Sequence, residues 1–162
     1  MFRQMRRFRQ ALSQDECQEL LRKEPRGVLA LHGEDGYPYA LPMNQVYLDG
    51  KLYFHGAKEG HKLDAIAADD RASFCVTALD SVQPEAFTTH FRSVIAEGKI
   101  SVVQERDRIT AALVMLCGKY SPGLDGSSEI AKSLDRVAIL KLDLESAAGK
   151  EAIELTRKRQ QP

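Results

Sequence analysis

Residues 54–64 read FHGAKEGHKLD, a stretch in which two histidines, two lysines and two glycines fall within eleven positions. Leu63, Ile66 and Ala67 follow at helical spacing, which predicts a short helix starting near His61. A helix start presents unpaired backbone N–H groups and a partial positive charge, and ordinarily attracts Asp, Glu, Ser or Thr. Here the first turn carries His61 and Lys62, with Lys58 just before it, and Glu59 and Asp64 offset that charge only in part. A phosphate would satisfy both the amides and the ammonium groups, and Gly56 and Gly60 allow the backbone to turn and approach a ligand closely. The alternative is a solvated loop whose lysines point outward.

The rest of the chain must position this corner. At 162 residues it has the size of one domain with a core of its own. A formal net charge of zero gives no global attraction to nucleic acid or to an anionic membrane. No apolar run approaches the length of a membrane span. The opening MFRQMRRFRQALSQDE has positive charge without a following apolar segment, so no signal peptide is expected and a cytoplasmic protein is. Cys17, Cys75 and Cys117 are odd in number and widely spaced. They fit small core residues in a reducing compartment better than a disulfide framework or a zinc site. The signatures G-x-G-x-x-G, G-x-x-x-x-G-K-[ST] and H-E-x-x-H are all missing.

The periodicities give an order of elements. Ser13 and Glu16 have capping-box spacing ahead of a short helix carrying Cys17, Leu20 and Leu21 and ending near Pro25. Strands are expected at 27–32, 37–48, 51–55, 71–78, 91–103 and 137–144. Pro38 and Pro42 mark an edge or bulge, Asp49-Gly50 a tight hairpin, and Gly98 a kink. Residues 107–120 read as a helix with Ile109, Leu113, Leu116 and Cys117 on one face. Hairpin-linked strands outnumbering helices predict a mainly β, antiparallel barrel with helices packed outside, spanning the chain as a single domain.

The stretches EDGYPYALPMNQVYLDGKLYFHGAKEGHKLDAI, SFCV, FTTHFRSVIAEGKISVV, LCGKYSPG and VAILKLDLESAAGKEAIEL, in that order, resemble the flavin-binding split-barrel superfamily that contains pyridoxamine-phosphate oxidase, and within it the nitroimidazole-resistance-type proteins. The resemblance implies a six-stranded antiparallel split β-barrel with short flanking helices. It also implies a homodimer with FMN in the cleft between subunits. The loop and helix start at His55, Lys58, His61 and Lys62 would hold the FMN phosphate, with Gly56 and Gly60 part of the same cofactor site. The strand at Pro42, Met43 and Asn44 would run beside the flavin ring, and Arg92, Ser93 and Val94 would face the same cleft. His55 corresponds to a histidine that some members place near flavin and substrate, and is the catalytic candidate. Ala148 precedes Gly149-Lys150 where relatives often carry threonine.

Apart from the resemblance, His55 is also what a hydrogen-bonded histidine at a barrel rim looks like, Asn44 would satisfy backbone groups near Pro42, and Arg92 would pair across strands with an acid. The expected activity is reduction of a nitroaromatic or other small aromatic compound, with NAD(P)H as donor. The other readings are a flavin carrier or sensor without turnover, and a haem protein with His55 or His61 as axial ligand. The basic ends, MRRFR and RKRQQ, read as solvated tails or as arms onto a partner subunit.

Overall fold

A computed structural model describes residues 5–161; residues 1–4, part of the stretch read for a leader, lie outside it. The elements are α1 (Gln14–Lys23), β1 (Arg26–His32), β2 (Pro38–Asn44), β3 (Val46–Leu48), β4 (Lys51–Ala57), α2 (His61–Ala68), β5 (Arg71–Gln83), β6 (Thr88–Val102), α3 (Arg106–Tyr120), α4 (Ser127–Ser133), β7 (Val137–Glu151) and α5 (Ile153–Arg159). The seven strands form one antiparallel sheet in the order β2-β1-β5-β6-β7-β4-β3. The fold is mainly β, a split barrel rather than a closed one. Seven strands stand where six were expected because the long run at 37–48 breaks at Gln45.

That break shapes the molecule. β2 and β3 lie at opposite edges of the sheet, yet only Gln45 separates them in the chain. The sheet must therefore curl until its edges approach each other. Gln45 is 0% exposed, so its peptide groups need partners inside the protein. Its N–H donates to Tyr120 Oη at 2.9 Å. Its carbonyl accepts from Tyr120 Oη at 2.8 Å and from Lys119 Nζ at 2.9 Å. Its side-chain Nε2 donates to the Glu24 carbonyl at 2.8 Å. Tyr120 Oη also contacts the Pro25 carbonyl, so the last turn of α3 pins both the crossover and the lead into β1.

Curling gives the sheet an inside and an outside. Leu29, Leu52, Phe54, Phe74, Val94, Ile100, Leu140 and Leu142 face inward, and Leu12, Cys17, Leu21, Ala65 and Ile66 from the α1 and α2 regions complete that core. A second cluster forms outside the barrel, where Ala112, Leu113 and Leu116 of α3 cover Val46 and Ile139. The two bonds of the Ser13–Glu16 capping box both form at the start of α1. Asp49 and Gly50 both adopt positive φ, 47° and 75°, as a two-residue hairpin turn between β3 and β4 requires. The register of β6 against β7 slips between Glu97 and Gly98, and a side chain at Gly98 would run into the Asp143 carbonyl.

Tyr120→Phe deletes the acceptor for the buried Gln45 N–H. It is expected to lower unfolding free energy by about 1–3 kcal/mol, read as a reduced urea midpoint at unchanged m-value.

Candidate anion-binding corner and flanking site residues

The corner flagged by charge forms where β4 leaves the barrel and α2 begins. Gly60 caps α2 at φ 114°, a conformation open to glycine, and offers no side-chain cap. Leu63 N–H and Asp64 N–H bond back to the Gly60 carbonyl at 2.8 and 3.4 Å. The amides of His61 and Lys62 have no backbone acceptor among the described residues. Lys62 is half-buried, and its ammonium occupies the space that a side chain at Gly56 would take. Burial alone pushes its pKa below the ordinary lysine value, with no neighbouring carboxylate to restore it. His61 is exposed and lies edge-on to Tyr39 of β2, with ring centroids 4.4 Å apart. Lys58, Glu59 and Gly60 are exposed. An uncapped helix start and a partly dehydrated ammonium lying over Gly56 thus meet at one corner of the molecule.

The other expected site residues fall into two groups. On β2, Pro42 and Asn44 are exposed, whereas Met43 is half-buried and packs on the interior core; alternation sends neighbours to opposite faces. On β4 the same alternation buries Phe54 and leaves His55 exposed, with no side-chain hydrogen bond among the described residues. His55 and Gly56 thus face opposite sides of the strand. Arg92 and Ser93 lie at the far end of the sheet from the corner: Gly56 stands opposite Ala138 at one end of β7, and Arg92 opposite Glu151 at the other. Val94 is fully buried in the core. The chain therefore brings together Gly56, Lys58, Gly60, His61 and Lys62, and holds Arg92 and Ser93 apart from them.

Arg92 does pair with an acid across strands. Its Nε and Nη2 each lie 2.9 Å from Oε2 of Glu151, a carboxylate that is 0% exposed. Arg159 of α5 approaches the other Glu151 oxygen at 2.9 Å and bonds Glu16 Oε2 at the same distance. Glu151 and Tyr39 were not singled out in the sequence. Tyr39 packs on the inner core, and nothing local to AAGKEA signals a buried ion pair. Cys75, expected in the core, is only half-buried and shares the outer face of the sheet with Val28 and Ile95, its register partners.

A sequence profile for a family described as pyridoxamine 5'-phosphate oxidase matches residues 13–151. The chain belongs to that family. No curated protein matches the sequence. Among solved structures, one of a Bacteroides thetaiotaomicron protein provisionally assigned to 5-nitroimidazole antibiotic resistance is similar at TM-score 0.75 and 17% identity, with 87% of this chain and 86% of that one covered. A Mycobacterium smegmatis protein described as binding FAD and haem aligns at TM-score 0.73 and 22% identity, covering 94% and 81%. At these identities the likeness is one of fold. A Mesorhizobium loti FAD-binding protein aligns at TM-score 0.62 and 25% identity, covering 88% and 96%. In this pyridoxamine-phosphate-oxidase relative, no helix among the described residues is long and apolar enough to cross a membrane.

The depressed pKa of Lys62 has a thermodynamic consequence. The unfolded chain holds the proton more tightly than the folded one, so the charge costs stability at neutral pH. The cost fades only as pH rises through the folded pKa toward the unfolded one. Lys62→Met is therefore expected to raise the thermal midpoint of ligand-free protein at pH 7 while abolishing the stabilisation that added phosphate gives the parent chain; thermal scans with and without phosphate check both halves.

Proposed function

We propose that this protein is a homodimeric, FMN-dependent oxidoreductase that reduces nitroaromatic or other small aromatic compounds. The observation that carries the proposal is the half-buried Lys62 ammonium beside an uncapped helix start, a site whose charge is left for a ligand to neutralise. A phosphate monoester fits it: the amides of His61 and Lys62 donate, Lys62 and Lys58 supply charge, and Gly56 leaves room for the Lys62 ammonium to lie against the strand. Membership of the family and the FAD-binding M. loti relative support a flavin, and FMN is the flavin proposed here. In this reading Pro42 and Asn44 border the ring on the exposed face of β2, and His55 lies at the rim, available to a substrate. A bound flavin supplies hydride and electron transfer; binding, orientation and the local field are the work of the chain. NAD(P)H is the proposed donor, and the cytoplasm the proposed location.

The dimer is proposed from the sheet's outer face. Pro42, Val28, Cys75, Ile95 and Ala148 stand in register across β2, β1, β5, β6 and β7. Val28 and Ile95 are 41% and 44% exposed despite being apolar. A two-fold axis through this row buries it isologously and sets the strands of the two copies antiparallel. Ser93, on the same face as Ile95 by alternation, then lies in this interface.

The double variant His61→Ala/Lys62→Ala is expected to weaken FMN binding by at least about tenfold, since charge-assisted phosphate contacts are worth roughly twice neutral ones. Unchanged affinity in a flavin titration removes the phosphate assignment. The spectrum of purified protein separates flavin from haem, and reoxidation of donor-reduced flavin by a panel of nitro-compounds separates an enzyme from a carrier.

Ile95→Asp is expected to give a monomer on a sizing column that retains FMN poorly. A monomeric parent chain holding FMN tightly contradicts the shared cleft.

A further inference from the structure

His61 and Lys62 leave α2 on the flank turned to the barrel. Residues four apart share a helix face, and one turn below them Ala65 is wholly buried and Ile66 only 7% exposed. Lys62 accordingly lies against Gly56 and His61 against Tyr39. The first turn itself is held only by its own backbone. Gly60 sits at φ 114° and lends no side-chain cap. Neither the His61 imidazole nor the Tyr39 hydroxyl has a hydrogen-bond partner among the described residues. An exposed histidine in that setting keeps several rotamers open, and ordering it on a ligand costs entropy.

Tyr39 is anchored where His61 is not. It stands in the regular β1–β2 ladder opposite Leu31, which is 3% exposed. Its ring packs on the interior core and is half-buried, so one part of it reaches the surface. The two rings meet at 4.4 Å between centroids and 77° between planes, an edge-to-face arrangement at the short end of the range for such pairs. A ring fixed by the core therefore restricts a ring that the helix start leaves loose.

We propose that Tyr39 is a positioning residue: it holds the His61 imidazole at the start of α2, on the same flank as the Lys62 ammonium, so that an incoming phosphate meets both groups already in place. The role rests on the phosphate reading of the corner proposed above. Neutral or charged, an imidazole carries at least one N–H donor, and its use requires only that the ring be pointed correctly. Tyr39 acts through its ring and through His61, and its hydroxyl has no part.

A double-mutant cycle on FMN affinity tests this. Tyr39→Leu removes the ring and keeps an apolar side chain on the core; Tyr39→Phe keeps the ring and deletes the hydroxyl. Tyr39→Leu is expected to weaken FMN binding by about two- to tenfold, the fold-change equivalent of one aromatic pair. Tyr39→Phe should bind as the parent does, and Tyr39→Leu should add no further loss in a His61→Ala background. A flavin-free measurement accompanies it. In the proton NMR spectrum, the His61 ring signal, identified by its disappearance in His61→Ala, should shift on Tyr39→Leu and keep a tyrosine-like ring-current displacement on Tyr39→Phe. Equal losses for Tyr39→Leu with and without His61 overturn the positioning role and leave the phosphate reading standing, because a direct ligand contact or a disturbed core gives additive losses. A loss in Tyr39→Phe as large as in Tyr39→Leu overturns it in favour of the hydroxyl. Parent-like affinity in His61→Ala alone also overturns it, and the His61→Ala/Lys62→Ala variant then decides separately whether the phosphate reading falls too.

Discussion

A single buried residue joins the two edges of the sheet, and this constraint governs everything else. With only Gln45 between β2 and β3, the sheet has no freedom to lie flat. The buried crossover is tolerable only because its N–H and carbonyl are met by Tyr120 and Lys119. Curling the sheet then creates the interior that α1 and α2 fill. It also brings Tyr39 at the start of β2 against His61 at the start of α2, so the chemistry of the corner depends on a hydrogen-bonded crossover in another part of the molecule.

The corner itself carries a charge that costs the fold stability. A lysine half out of water without a carboxylate is a poor choice for a protein selected only to fold. Glu151 shows the contrary arrangement in the same chain: it is wholly buried, but two arginines compensate it. The contrast separates a buried charge that brings its own counter-ions from one that, in the proposed reading, a ligand would neutralise. It also supports the structural reading of Arg92, whose guanidinium is already engaged by Glu151.

Local chemistry made much of this visible in the sequence. The capping box at Ser13, the Asp49-Gly50 turn, the irregularity at Gly98 and the start of α2 at His61 each follow from a few adjacent residues. What remained hidden depends on distant partners. The break at Gln45 is stabilised from α3, 75 positions away. The β5–β6 hairpin beyond Leu79 has no core of this chain to impose alternation. The last third of β7 is rich in small residues that carry little strand signal, and α5, IELTRKR, reads as a basic tail until Arg159 is seen bound to Glu16 and Glu151. Of the candidate site, the cationic loop was legible because its charge contradicts the helix dipole. Its division between two ends of the sheet was not, since that depends on register.

The clamp on the crossover also bears on how the chain reaches this shape. Glu24, Pro25 and Gln45 are fastened by the final residues of α3, so they wait for a helix roughly midway to the C-terminus of their own hairpin's last partner, β7. The hairpins β1–β2 and β5–β6 close from near neighbours, whereas sealing the barrel needs β4 to find β7 across most of the intervening sequence. Under such topology the rate is limited by the loop-closure entropy of remote pairing. Pairing β4 with β7, and holding Gln45 from the end of α3, are the closures that this entropy opposes.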